Sequence, residues 1–388
     1  MKYSLSSDTW DEKEIAAIEA VISSKQFTMG KYVKKFETKF SNYFGSKYAV
    51  MVNSGSSANL LMIASLFYTS EEKFRLNRGD EIIVPAVSWS TTYSPLYQYG
   101  LKIKFVDVDI ATLNYDIDAL RRSISPKTRA ILTVNLLGNP NNFREINKII
   151  KKKNIFLLED NCESMGAKFE ERYTGTYGIM GSFSSFYSHH ISTMEGGIVV
   201  TDNEELYHIL LCLRAHGWTR DLPKKNSIST KDNQNFFYES FRFVLPGYNL
   251  RPIEMSGAIG LEQLKKLEKF IKCRRENAKY FVEKFENHPY LSVQKEIGSS
   301  SWFGFALVVK ENIDITRDSL IIKLSKNDIE CRPIVSGNFA KNEVLKYFNF
   351  EISDDMKNAE LIHERGFFVG NHQNNIKQKI ELLSKVLS

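Results

Sequence analysis

Two adjacent histidines, His189 and His190, lie between a run of small and aromatic residues, Gly181-Ser-Phe-Ser-Ser-Phe-Tyr-Ser188, and a Glu195-Gly196-Gly197 turn. An apolar β-branched run, Ile198-Val199-Val200, follows. That order reads as strand, exposed loop and strand, the glycines closing the turn. Imidazole has an ordinary pKa near neutrality, so a histidine on such a loop can act as a general base. The pair does not read as a metal site: adjacent side chains point apart, and no Cys, His or Asp cluster accompanies them. No metal is expected, and His190 is open to a purely structural role.

Other groups able to do chemistry fall where strands end. Residues 48–52 read as a short buried strand, and Asn53-Ser54-Gly55-Ser56-Ser57-Ala58-Asn59 leads into an apolar helix reaching about Phe67. A strand, a Gly/Ser turn and a helix start present backbone N–H groups and a positive dipole end to an anion. The same residues also make an ordinary helix cap. Trp89 follows the strand 80–85 and is either core or a ring at the strand end. Glu159-Asp160-Asn161-Cys162-Glu163 follows the strand 155–158. A carboxylate emerging from a buried strand is costly unless paired, so Asp160 must find a helix N-terminus or a charged partner.

The elements that must position these groups alternate. Strands at 103–106, 130–134 and 155–158 are separated by helices at 117–123 and 143–151, which predicts a largely parallel sheet with helices on both faces. Ligands in such sheets gather at the carboxyl ends of the strands. Upstream, a helix over 11–23 carries Ile15, Ile18 and Ile22 on one face, and a second over 32–44 stops at Gly45. Downstream come a helix at 206–213 and the polar segment 222–237, expected to be a mobile loop over the site. A helix over 253–267 then leads into a long one to about Phe285. The remainder (strand 302–309, helix 317–324, strand 330–333) reads as α+β with the N-terminal segment folded back on it. The expected division is a large body over 31–265 and a smaller one from 1–30 and 266–388.

The 388 residues carry 52 basic and 46 acidic side chains, a net charge of +6. So mild an excess fits an anionic ligand as readily as nucleic acid, for which no motif is present, and Lys151-Lys152-Lys153 reads as a solvated helix face. No apolar run is long enough to span a membrane and the first residues lack a signal-peptide core, so a soluble cytoplasmic protein is expected. The four cysteines are widely separated, which argues against disulfides, a zinc site or an iron–sulfur cluster.

The segments 181–201 and 159–163, with Gly247-Tyr248-Asn249-Leu250-Arg251, resemble the DegT/DnrJ/EryC1/StrS sugar aminotransferases. The resemblance implies an α/β protein of the aspartate aminotransferase fold that uses pyridoxal phosphate (PLP). It implies that Gly55, Ser56 and Ser57 hold the cofactor phosphate, that Trp89 stacks on the pyridine, and that Asp160 pairs with the pyridine nitrogen. Glu163, where glutamine or histidine is more usual, would contact the ring oxygen, and Ser184 would complete the shell. Asn249 would reach the phosphate of a neighbouring subunit, implying a homodimer with shared sites.

The family's cofactor-linking lysine is replaced by His189, and no lysine occurs between 169 and 223. A histidine here cannot tether the cofactor but can still move protons. Of the two branches with this exchange, one needs an iron–sulfur cluster, against which the scattered cysteines argue. Resemblance to the other implies a protein that works from pyridoxamine phosphate (PMP), recharged by L-glutamate, and removes the 3-hydroxyl of a nucleotide-linked 4-keto-6-deoxy sugar. Ser188, His216, Arg220 and Arg332 are the expected substrate contacts. An ordinary nucleotide-sugar aminotransferase and a non-catalytic binding protein are the alternatives.

Overall fold

The computed structural model describes residues 1–229 and 235–388. Its first seven strands are β1 (Tyr48–Val52), β2 (Glu81–Pro85), β3 (Lys102–Val106), β4 (Thr128–Val134), β5 (Phe156–Asp160), β6 (Lys168–Phe169) and β7 (Arg172–Tyr173). Then come β8 (Met180–Ser184), β9 (Gly197–Thr201), β10 (Leu291–Val293), β11 (Gly304–Val309), β12 (Cys331–Arg332), β13 (Phe350–Ile352) and β14 (Gly366–Gly370). Eight form one sheet in the order β1-β9-β8-β5-β4-β2-β3-β13. Only β9 runs antiparallel to its neighbours there; the other pairs are parallel. An antiparallel sheet, β10-β11-β14-β12, lies in the C-terminal part.

Strands β2, β5, β8 and β9 are buried at every position, as a sheet covered on both faces requires. The helices between them start on side-chain caps that take up orphan N–H groups: Ser54 before Gly55–Ser65, Asp116 before Ile117–Ser123, Asn203 before Glu204–Arg214. The N-terminal segment returns to the small sheet, where Tyr3 pairs with Ile329 and its hydroxyl donates to the Gly370 carbonyl at 2.6 Å.

Several expectations are corrected. Helix Glu12–Ser24 buries Glu14 and Val21, whereas Ile15 and Ile22 are 50% and 51% exposed. The apolar periodicity pointed to the wrong face because Glu14 has partners far along the chain, the buried Gln263 and the half-buried Lys266. One continuous helix, Glu254–Phe285, replaces the two expected. Its Gly257 is where it meets helix Lys31–Phe44: a Cβ there would stand 2.5 Å from the Val33 nitrogen. Trp302, with φ 46°, belongs to the turn before β11 rather than to a strand. Strand β13 brings the C-terminal part back to the edge of the large sheet beside β3. In the segment expected to be mobile, Leu222 is buried, and residues 230–234 lie outside the described residues. Among the described residues no helix is long and apolar enough to cross a membrane.

Candidate active site

Asp160 is the last residue of β5 and is buried. Its Oδ2 accepts from Asn59 Nδ2 at 2.8 Å and Thr92 Oγ1 at 2.7 Å, and its Oδ1 accepts from the Cys162 N–H at 3.2 Å. Asn59 and Thr92 come from helices Gly55–Ser65 and Ser90–Gln98, so both helices are pinned to this carboxylate. Three donors replace the water it lost.

Beside it, helix Gly55–Ser65 opens toward the end of β8. A Cβ on Gly55 would stand 2.6 Å from the Ser184 Cβ and 3.0 Å from the Cys162 Sγ, so only glycine lets the helix start this close. The Ser57 N–H is taken by the Ser54 hydroxyl at 3.1 Å, and the Ser56 hydroxyl donates to Thr91 Oγ1 at 3.0 Å. The N–H groups of Gly55 and Ser56 lie in the first turn, where no carbonyl of the same helix can reach them. Trp89 precedes helix Ser90–Gln98 and is 58% exposed, so it is not core.

Glu163 is half-buried and accepts from the Leu137 N–H at 3.0 Å. Burial pushes its carboxyl up to about 7, with the Asp160 charge adding to the shift and the Leu137 bond opposing it. At neutral pH it is therefore partly protonated and able to donate as well as accept.

His189 lies on the β8–β9 loop. Burial pushes its imidazole down to about 4 against the pull of the Cys162 and Ser184 carbonyls, and the Arg274 charge lowers it further. Its Nδ1 is buried without a hydrogen-bond partner. The rings of Phe186 and Phe303 meet it edge-on, with centroids at 5.9 and 5.1 Å. His190 points elsewhere: it is fully buried, its Nε2 lies 3.2 Å from the Ser301 carbonyl, and burial pushes it well below its ordinary value. That is the geometry of a neutral structural histidine.

The structure thus gathers Gly55, Ser184, Asp160, Glu163 and His189 around one strand-end cleft, with Ser188 half-buried beside His189. His216, Arg220, Asn249 and Arg332 are exposed. His216 holds φ 62° and donates its N–H to the Tyr248 carbonyl at 2.6 Å. The Arg220 guanidinium lies 5.0 Å from the Trp218 ring centroid, and Asn249 Oδ1 accepts from Arg251 Nε at 3.0 Å. Arg332 lies on the short strand β12. Among the described residues no group of three or more His, Cys, Asp or Glu could hold a metal ion.

Sequence reasoning missed Asn59, Thr92, Leu137 and Phe303. Asn59 left one signal, a polar residue inside an otherwise apolar helix. Phe303 left none, being 114 positions (303 − 189) from the histidine it touches.

The model of the DegT/DnrJ/EryC1/StrS aminotransferase family matches residues 8–383. GDP-4-keto-6-deoxy-D-mannose 3-dehydratase of Escherichia coli O55:H7 is 62% identical over 388 residues, 100% of both chains. A crystal structure of GDP-4-keto-6-deoxymannose-3-dehydratase with a trapped PLP-glutamate geminal diamine is 61% identical, with a TM-score of 0.98 and 100% of both chains covered. A double variant of that dehydratase, with a serine and the histidine after it replaced by asparagine and lysine, is 61% identical. It superposes with a TM-score of 0.97 over 98% of this chain and 100% of its own. The fold is that of the PLP-dependent aminotransferases. With a family match over residues 8–383 and 62% identity along the whole chain, this protein belongs to the DegT/DnrJ/EryC1/StrS aminotransferase family.

Proposed function

We propose that this chain is a PLP/PMP-dependent dehydratase that removes the 3-hydroxyl of GDP-4-keto-6-deoxy-D-mannose, with L-glutamate as amino donor. The observation that carries the proposal is His189: a neutral imidazole with a partnerless Nδ1, set where the family's lysine would stand, inside an otherwise complete cofactor cradle. Ser188-His189 is the only Ser-His pair in the sequence, which fits the pair exchanged in the related double variant.

The residues present fit the cofactor. The space a Cβ at Gly55 would fill is left open next to Ser184, and the uncapped first-turn N–H groups suit a phosphate. Trp89 offers an exposed ring face to an aromatic ligand, and Asp160 offers a carboxylate to a ring N–H. When bound, PMP supplies an electron sink conjugated to the reacting carbon of the substrate. Asp160 keeps the ring nitrogen protonated, held in place by Asn59 and Thr92. Glu163 in its protonated form donates to the ring oxygen, which reconciles a glutamate with a place more usual for glutamine or histidine. His189, neutral above pH 4, would take the proton given up by the cofactor's methylene carbon, and Phe186 and Phe303 pack against its ring.

The reaction balances. The sugar exchanges its 3-hydroxyl for hydrogen, a two-electron reduction, while glutamate plus water gives 2-oxoglutarate, ammonia and the two electrons; the water released by the sugar is the one consumed. The same reading makes the protein a cytoplasmic homodimer. Asn249, exposed in its own protomer, reaches the partner's cofactor, and Ser188, His216, Arg220 and Arg332 contact the sugar and diphosphate. The chain would divide into a large body over 31–265 and a smaller one from 1–30 and 266–388, with β13 of the latter part joining the large sheet.

The test is a product assay with PLP, L-glutamate and GDP-4-keto-6-deoxymannose. Mass spectrometry should show loss of the 3-oxygen, with ammonia and 2-oxoglutarate formed in equal amounts. An amino sugar with no free ammonia would make the protein an aminotransferase instead.

A further inference from the structure

The second half of the His189 loop is buried without being part of a sheet: His190, Ile191, Ser192 and Thr193 are each at most 1% exposed. Backbone groups so placed need partners. Thr193 bonds back to Ser185 across the loop, through its N–H at 2.9 Å and its hydroxyl at 2.6 Å. Ser192, three residues after His189, is held from outside on both sides. Its N–H donates to Gln263 Oε1 at 3.0 Å, and its carbonyl accepts from Trp10 Nε1 at 3.1 Å.

Gln263 is fully buried, and its amide is saturated. Oε1 also accepts from the Thr9 hydroxyl at 2.8 Å, while Nε2 donates to the Thr9 carbonyl at 3.0 Å and to Glu14 Oε1 at 2.8 Å. Four bonds fix which way the amide faces, so its oxygen must point at Ser192. Glu14, also fully buried, accepts from the Asp11 N–H at 2.8 Å and from Lys266 Nζ at 2.7 Å on its other oxygen. Lys266 also meets Asp11 at 2.9 Å. The start of helix Glu12–Ser24 is thereby locked to helix Glu254–Phe285, and the far end of this closed network is the loop that carries His189.

We infer that Gln263 and Trp10 are positioning residues for His189: together with Thr9 and Glu14 they clamp Ser192 and so set where the imidazole stands. The inference rests on His189 being the base of the proposed reaction. Reacting groups need placement to a fraction of an ångström, and the Nδ1 of His189 has no hydrogen-bond partner, so the backbone clamp helps to set the orientation of the ring.

The test uses the full-length holoenzyme carrying Gln263→Ala and, separately, Trp10→Phe, which keeps the ring but removes the donor to Ser192. Hydrogen exchange is read by mass spectrometry on the peptide spanning 186–196, and turnover is measured with GDP-4-keto-6-deoxymannose and glutamate. Both variants should exchange faster in that peptide. The kcat should fall, roughly ten- to a hundredfold for Gln263→Ala, with KM for the sugar and affinity for pyridoxamine phosphate unchanged. Unchanged exchange, unchanged kcat, or a KM that moves with kcat would each overturn the inference, and Trp10→Phe decides it if Gln263→Ala does not fold. A His189→Asn protein that dehydrates at full rate would instead refute the role given to His189, on which the inference rests, while the exchange result would still report on the clamp.

Discussion

The ring of Phe303 stands edge-on to the ring of His189, centroids 5.1 Å apart and planes at 84°. Phe303 also donates its N–H to the Leu137 carbonyl at 2.9 Å, and the Leu137 N–H donates to Glu163. One residue near the small sheet therefore touches His189 directly and the Glu163 carboxyl through a single neighbour.

Removing that ring should change the acid limb of the pH profile. The base must be neutral, so activity falls as pH drops through the His189 pKa, which burial holds at about 4. Phe303→Ala admits water and lets the pKa rise toward its ordinary 6.5, so the loss should begin at higher pH. A kcat profile and an NMR titration of the His189 ring would check this; an unmoved limb would mean that Phe303 does not keep His189 dry.

Glu163 makes a stability prediction for the cofactor-free protein. Its folded pKa, about 7, lies above its ordinary value of 4.5, so its contribution is fully present below 4.5 and is lost as pH rises through 7. Glu163→Gln cannot ionise. Its Tm should exceed that of the wild type above pH 7 and show no such gain below 4.5. Parallel Tm curves across that range would count against the shift.

Gly55→Ala should cost about 1–3 kcal/mol of stability from overpacking against Ser184. It should also weaken cofactor binding, because the helix start must back away from the β8 end. Thermal denaturation and a PMP titration would measure the two effects, and binding at wild-type affinity would remove Gly55 from the cradle.

His189→Lys should restore a covalent tether, since a primary amine replaces an imidazole that cannot form one. After borohydride reduction the cofactor mass should stay with the denatured chain, and dehydration should be suppressed. Full dehydratase turnover in this variant would contradict the role given to His189.

Much of the site was legible because its chemistry is local. Gly55, Asp160, Glu163, Ser184 and His189 each lie at a strand end or in the turn after one, and strand ends in a parallel sheet converge on one edge. The contents of the shell around them were not legible. Asn59 and Thr92 reach Asp160 across sequence gaps of 101 and 68 residues, and no local rule ties a helix amide to a distant carboxylate.

The sequence by itself determined the alternation of strands and helices from β3 to β5, the covered parallel sheet, the absence of a lysine from 169 to 223, and a histidine in its place. These follow from periodicity, capping and residue type, which act over a few positions. Only the tertiary structure decided that helix Glu12–Ser24 turns Glu14 inward and leaves Ile15 and Ile22 outside, because a buried carboxylate is tolerable only where Gln263 and Lys266 can meet it. It alone decided that Asn249, His216, Arg220 and Arg332 are exposed. It alone brought Phe303 and Gln263 to the His189 loop, since contacts between residues more than 70 positions apart exist only once the sheets and helices have packed.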